Sequence, residues 1–184
     1  MAELVTFDPV DAIAAGALGT PGSRSFLVQA RKGDARITVL VEKEQVGMLA
    51  AEASAFLDRI DEQYPAAGSN PAPHPTETEV REPAEPLFRA RAIGIGFDPA
   101  RNIVMVELRE FAEEDDDEDE DEGGETPLDD PPEGEGWVAR LFATKEQVRA
   151  MAAAGLAAVA GGRPACPLCD MPMDPDGHRC PRWN

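Results

Sequence analysis

The chain has 184 residues, 42% of them apolar, which is enough for one ordinary domain or two very small ones with a real core. Wholesale disorder is thereby excluded, and no apolar run approaches the roughly eighteen residues that a membrane-spanning helix needs. The formal charge of −19 lacks the basic footprint that neutralises phosphates, so nucleic-acid binding is not expected.

That charge is unevenly spread. Fifteen acidic residues and no basic ones lie between Glu113 and Glu135, which leaves the rest of the chain at about −4. The N-terminal Met1-Ala2-Glu3-Leu4 has neither the basic nor the apolar region of a signal peptide. A cytoplasmic location is therefore expected, where thiols stay reduced and clustered cysteines more often bind metal than pair.

In chain order, an extra strand at Leu4–Phe7 precedes three apolar strands near Ala12–Leu18, Ser25–Arg31 and Arg36–Val41. Val46, Leu49, Ala53, Phe56, Leu57 and Ile60 then recur at helical spacing, predicting a helix over Lys43–Gln63 with one apolar stripe. Residues 65–86 are Pro-rich and polar and are expected to be an exposed linker; they hold His74, which should face solvent. Strands are expected again at Leu87–Ile95, Asn102–Glu110 and Trp137–Ala143, and a second helix over Lys145–Ala160. Thr144 with Gln147 forms a capping-box start for that helix, and Gly161-Gly162 ends it. The acidic run at 113–135 is self-repelling and poor in apolar surface, and it lacks the spaced ligands of a calcium loop. It is expected to be a disordered insertion.

The two halves match. Val39-Leu40-Val41-Glu42-Lys43-Glu44-Gln45-Val46 and Leu141-Phe142-Ala143-Thr144-Lys145-Glu146-Gln147-Val148 each run an apolar strand into a helix, at an offset of 102 positions. Upstream, Gly19 to Val28 sets beside Gly96 to Met105 at an offset of 77, which aligns Arg24 with Arg101. An α+β fold follows: a duplicated βββα unit with antiparallel sheets, each sheet facing its helix, and two packed helices around a shared core. The domains are expected at 1–64 and 87–162, joined by the linker 65–86, with a tail at 163–184.

The tail carries the chemistry. All three cysteines and one of the two histidines fall in the last nineteen residues, as Cys166-Pro-Leu-Cys169 followed by Gly177-His178-Arg179-Cys180. A Cys-x-x-Cys turn points two sulfurs at one centre, and His178 and Cys180 share a face if their segment is extended. Pro172, Asp174 and Gly177 supply the reversal between the pairs. A structural Zn²⁺ held by Cys166, Cys169, Cys180 and either His178 or water is the leading reading. Plain reduced thiols and a redox Cys-x-x-Cys that closes a Cys166–Cys169 disulfide are the alternatives. Trp137 is expected in the core and Trp183 against the knuckle. The Gly-rich turn at Gly16–Arg24 lacks the Gly-Lys-Ser/Thr of a P-loop and is expected to be a hairpin.

With these residues in view, the chain resembles an uncharacterised actinobacterial family of roughly this length, a domain of unknown function with a "repeat protein" label. The resemblance rests on Phe7-Asp8-Pro9, on Gly19 through Arg31, on Lys43-Glu44-Gln45-Val46, and on the CPxC…GHxCP tail from Cys166 to Pro181. It implies a cytoplasmic protein encoded beside histidine-phosphatase-like and lipid-kinase-like proteins, and no established activity. The expected function is a non-enzymatic binding or adaptor protein with structural zinc and an unidentified protein partner. The competing expectation is an enzyme or sensor of a phosphorylated small molecule bound between the repeats, with Arg24 and Arg101 as anion clamps.

Overall fold

The computed structural model describes residues 2–65, 77–111, 135–174 and 176–182. It contains two helices and two four-stranded sheets, so the expected α+β class holds. The strands are β1 (Ala2–Phe7), β2 (Ala12–Thr20), β3 (Ser23–Lys32), β4 (Ala35–Val41), β5 (Phe88–Arg89), β6 (Ala92–Asp98), β7 (Ile103–Arg109) and β8 (Gly136–Ala143). The helices are α1 (Lys43–Gln63) and α2 (Lys145–Ala160), with the bounds that the apolar stripes predict.

The antiparallel expectation needs correction. Each half does form an antiparallel meander, β2-β3-β4 and β6-β7-β8. Each meander then takes a fourth strand from the other half, in parallel. β1 runs beside β8 with Phe7 opposite Leu141, and β5 runs beside β4 with Phe88 opposite Val39. Both sheets are therefore mixed, and the two halves hold one another through reciprocal strand exchange. The exchange also splits the strand expected at Leu87–Ile95 in two. The amide of Ala90 bonds to Leu40 in one sheet and the amide of Arg91 to Arg109 in the other, each at 2.8 Å. The chain changes sheets between those residues.

The alignment of the halves shifts by one. Val28 pairs with Val39 and Val106 pairs with Leu141, so the offset along β3 and β7 is 78 rather than 77. Arg24 thus corresponds to Asn102, not to Arg101. In a strand a one-residue slip turns every side chain to the other face. Val28 and Val106 both point into the core, whereas Met105, the partner assigned from sequence, lies on the outer face beside Phe142.

One main core fills the space between sheets and helices, built from Ile13, Val28, Val39, Leu57, Val104, Leu108, Leu141, Val148 and Met151 among others. The helices pack on each other, and α2 approaches β2 of the opposite sheet more closely than β7 of its own meander, where the expectation gave each helix its own sheet. Gly155 makes this approach possible: a methyl group there would lie 3.0 Å from Val46 Cγ1 and 3.4 Å from Ala15 Cβ. Lys145, 5% exposed, donates to Asp61 at 2.7 Å, and Arg149 donates to Asp58 at 3.1 Å and Asp61 at 2.6 Å, tying α2 to α1.

The helix starts brace the two halves in matching ways. Thr144 and Gln147 form the expected capping box, with the Gln147 amide on Thr144 Oγ1 at 3.1 Å and the Thr144 amide on Gln147 Oε1 at 2.9 Å. Gln147 Nε2 then reaches Asp11 O at 3.3 Å, at the end of the connection from β1 to β2. Gln45, its counterpart in α1, accepts from the Glu42 amide at 2.8 Å and reaches Ala90 O and Arg91 O, just past β5. Each cap therefore holds the connection that follows the strand given by the other half.

Residues 77–86 do more than link. Gln29 on the outer face of β3 donates to Arg81 O and accepts from the Arg81 amide, both at 3.0 Å. Val80 covers Gly16, where an added methyl would come within 3.3 Å of it. This strap covers part of the outer face of β2 and β3, which accords with the apolar run of β2 and with the burial of Leu27 and Gln29 on β3.

Candidate metal centre

The site is built on two tight reversals. In the first, Ala165 bridges Pro172, the Cys166 amide bonds to Met171 O, and the Asp170 amide bonds back to Cys166 O, both at 2.8 Å. Asp170 closes this loop at φ +59, a left-handed conformation that Asp tolerates better than most residues. Cys166 is thereby set at the stem and Cys169 at the tip. In the second reversal the Gly177 amide bonds to Asp174 O at 2.8 Å, with Gly177 at φ +87, and the chain turns directly into His178 and Cys180.

The two reversals bring all four side chains together. The donor atoms of Cys166, Cys169, His178 and Cys180 lie within 4.8 Å of one another. Cys166 Sγ is 3.9 Å from Cys180 Sγ, and Cys169 Sγ is 3.7 Å from His178 Nε2. All three cysteines are free, since a disulfide would need its sulfurs at about 2.05 Å. A tetrahedron with metal–sulfur bonds of about 2.3 Å has sulfur–sulfur edges of about 3.8 Å, and sulfur–nitrogen edges are slightly shorter. The Cys166–Cys180 and Cys169–His178 edges are close to those values, and the group could hold a metal ion.

The electrostatics agree. The Cys166 thiol is drawn down from 9.0 to about 6, chiefly by the Leu168 backbone amide and further by the Cys169 amide and His178. The Cys169 thiol is pushed up by burial and by the neighbouring Cys180 and Cys166 sulfurs. Crowded sulfurs that cannot all ionise alone are a place where a cation is favoured. Cys166 is 4% exposed, so the centre is shielded on the side facing the fold.

Two arginines hold the knuckle together, and the sequence alone did not single them out. Arg182 donates to Leu168 O at 3.2 Å, closing the first loop, and Arg163 pairs with Asp174 at 2.8 Å, tying the second loop to the hinge after α2. Their sequence signal is only that of charged residues flanking the ligands.

The other candidate residues fall elsewhere. Arg24 donates to Ala158 O at 3.0 Å near the end of α2 and stacks over Phe26, while Arg101 forms a two-pronged pair with Asp8 and lies over Phe142. The two are neither equivalent nor free for one anion, which removes the basis on which they were paired as clamps. A polar cavity of about 190 Å³ lies beneath the strap, lined by Gln29, Arg31, Arg36, Glu77, Glu79 and Arg81, rather than between the halves. Trp137 packs half-buried against the core. Its amide and carbonyl bond to Glu110 at 3.0 and 2.9 Å, closing the strands from which the acidic segment departs. His74, Trp183 and the acidic run up to residue 134 lie outside the described residues. Among the described residues no helix is long and apolar enough to cross a membrane.

Fold and site together define an α+β protein with a C-terminal Cys₃His group fit for a metal ion. The chain belongs to the family described as "Protein of unknown function (DUF3090)", whose model matches residues 5–180. No curated protein and no solved structure matches it.

Proposed function

We propose that this protein is a non-enzymatic binding or adaptor protein whose tail is ordered by one structural Zn²⁺ on Cys166, Cys169, His178 and Cys180. The observation that carries the reading is the convergence of three sulfurs and an imidazole nitrogen within 4.8 Å, with two of the edges at 3.9 and 3.7 Å, close to those of a zinc tetrahedron. Four protein donors fill a tetrahedral ion, whereas a catalytic zinc keeps a position open for water or substrate. Thiolates and imidazole favour zinc over calcium or magnesium, which take oxygen. A cytoplasmic setting, where thiols stay reduced, belongs to the same reading, as does an actinobacterial origin.

The scaffold presenting the tail is a duplicated unit, with halves at 1–64 and 87–162 and the acidic insertion in the second. The same pairing of β3 with β4 and of β7 with β8, and the paired helix caps, support it. The partner is a protein, and the phosphatase-like and lipid-kinase-like neighbours implied by the family resemblance are the first to test.

Elemental analysis of purified protein should find one zinc per chain, and chelation should lower the melting temperature. Metal-free protein with the same melting curve would remove the metal reading. A pull-down with the full chain that recovers neither neighbour would remove that partner assignment.

A further inference from the structure

The two sheets have four edge strands: β1, β6, β2 and β5. An edge presents unpaired backbone groups that template pairing with another strand, and proteins blunt such edges with charge, proline, brevity or a cover. Three of the four are blunted. β1 carries Glu3, β5 has two residues, and α2 packs along β2, where Gly155 meets Ala15. The positions matching Ala15 and Gly155 on the other side are Ile95 and Ala53, a bulkier pair, and α1 makes a much smaller contact with β6.

Among the described residues β6 is the least guarded edge: it is seven residues long, and its cover is limited to a small contact with α1 and the Tyr64 ring 5.6 Å from Phe97. Over Ala92-Ile93-Gly94-Ile95-Gly96-Phe97 it has no charge and no proline, and only Asp98 at its end is acidic. Apart from the ladder to β7, no backbone hydrogen bond among the described residues involves this stretch. Its inner side carries Ile93, Ile95 and Phe97, partly buried against the core, and its outer side carries Ala92, Gly94 and Gly96. Space beside Gly94 is open, with nothing within 4 Å of an added methyl.

We infer that β6 pairs antiparallel with β6 of a second copy of this chain, joining two four-stranded sheets into one of eight strands about a twofold axis at Ile95. The strand is self-complementary in that register. Ile95 meets the second copy's Ile95, Ile93 faces Phe97 and Phe97 faces Ile93, which gives β-branched and aromatic pairs on the core side. Gly94 faces Gly96 on the flat side, and Asp98 faces Ala92, so no like charges meet. A twofold interface uses the same patch on both copies, as this one does. The charge of −19 on each copy opposes association, so the dimer strengthens as salt screens it. The inference does not depend on the metal reading.

The test is sedimentation of the full wild-type chain and of Gly94→Lys over a range of protein and salt concentrations, with hydrogen exchange at the β6 amides. Lysine has room at that position and is the usual guard of a free edge. The expected result is a wild type that moves to twice the 19.7 kDa chain mass as protein and salt rise. Its amides between Ile93 and Phe97 become protected together with that shift. Gly94→Lys stays at the single-chain mass with unchanged melting temperature and metal content. A wild type that stays single at all concentrations overturns the inference. So does a wild-type dimer with unprotected β6 amides, or a folded Gly94→Lys variant that still dimerises.

Discussion

Cys166 shows how much one residue depends on its backbone. Its thiol is lowered to about 6 mainly because the Leu168 amide points at it, a direct consequence of the 166–171 loop. An acid depressed in the folded state contributes stability that is complete above its unfolded value near 9.0 and is lost as pH falls through about 6. A thiolate absorbance titration of metal-free protein should find one group with a midpoint near that value, absent in Cys166→Ser. Metal affinity should fall steeply below the same pH, because protons compete for the ligands. Asp61 is the second informative residue. Its carboxyl is held below the usual range, first by the hydrogen bond from Lys145 and then by Arg149 against the opposing effect of burial. That contribution is present above the unfolded carboxyl value of 3.8 and fades as pH falls below it. Asp61→Asn strands the buried Lys145 ammonium. Chemical denaturation should show a loss of about 1–3 kcal/mol, less than for a fully buried pair because Asp61 is half exposed.

At the scale of elements, two contacts decide how helices and strands meet. Gly155 lets α2 approach β2, and its substitution forces Val46 or Ala15 to move. Gly155→Leu should destabilise by about 2–3 kcal/mol through overpacking, measured by urea unfolding. Gly155→Ala should come out much smaller, because the gain in helix propensity offsets a contact of 3.0 Å. Gln29 decides the strap. Gln29→Ala removes both bonds to the Arg81 backbone, which should cost about 1–3 kcal/mol and speed hydrogen exchange at the Arg81 amide. The helices were legible in the sequence to the residue, since their apolar stripes, the Thr144–Gln147 box and the Gly161 stop are local signals. The strands were legible as a meander, since Gly33 makes a two-residue turn at φ +58 between β3 and β4. What β1 and β5 pair with was not legible, because no local feature of Leu4–Phe7 or Phe88–Arg89 names a partner 134 or 49 residues away.

For the whole molecule, the reciprocal exchange of β1 and β5 makes the halves one cooperative body around a shared core, so thermal unfolding should follow a single transition by all probes. Replacing residues 113–134 with a short turn between β7 and β8 should keep that transition. At low salt it should raise the melting temperature slightly by removing like charges, as calorimetry would show. A lower melting temperature would mean that the segment contributes to the fold. The sequence by itself determined the helices, the antiparallel meanders and the four clustered ligand residues, because each depends on spacing along a short stretch of chain. Only the tertiary structure decided the strand exchange, the one-residue shift that matches Arg24 to Asn102, the strap over β3, and the separate engagements of Arg24 and Arg101. Each of these is a contact between distant residues, and the free energy that selects among such contacts is set by the packing of the assembled core, not by any single segment.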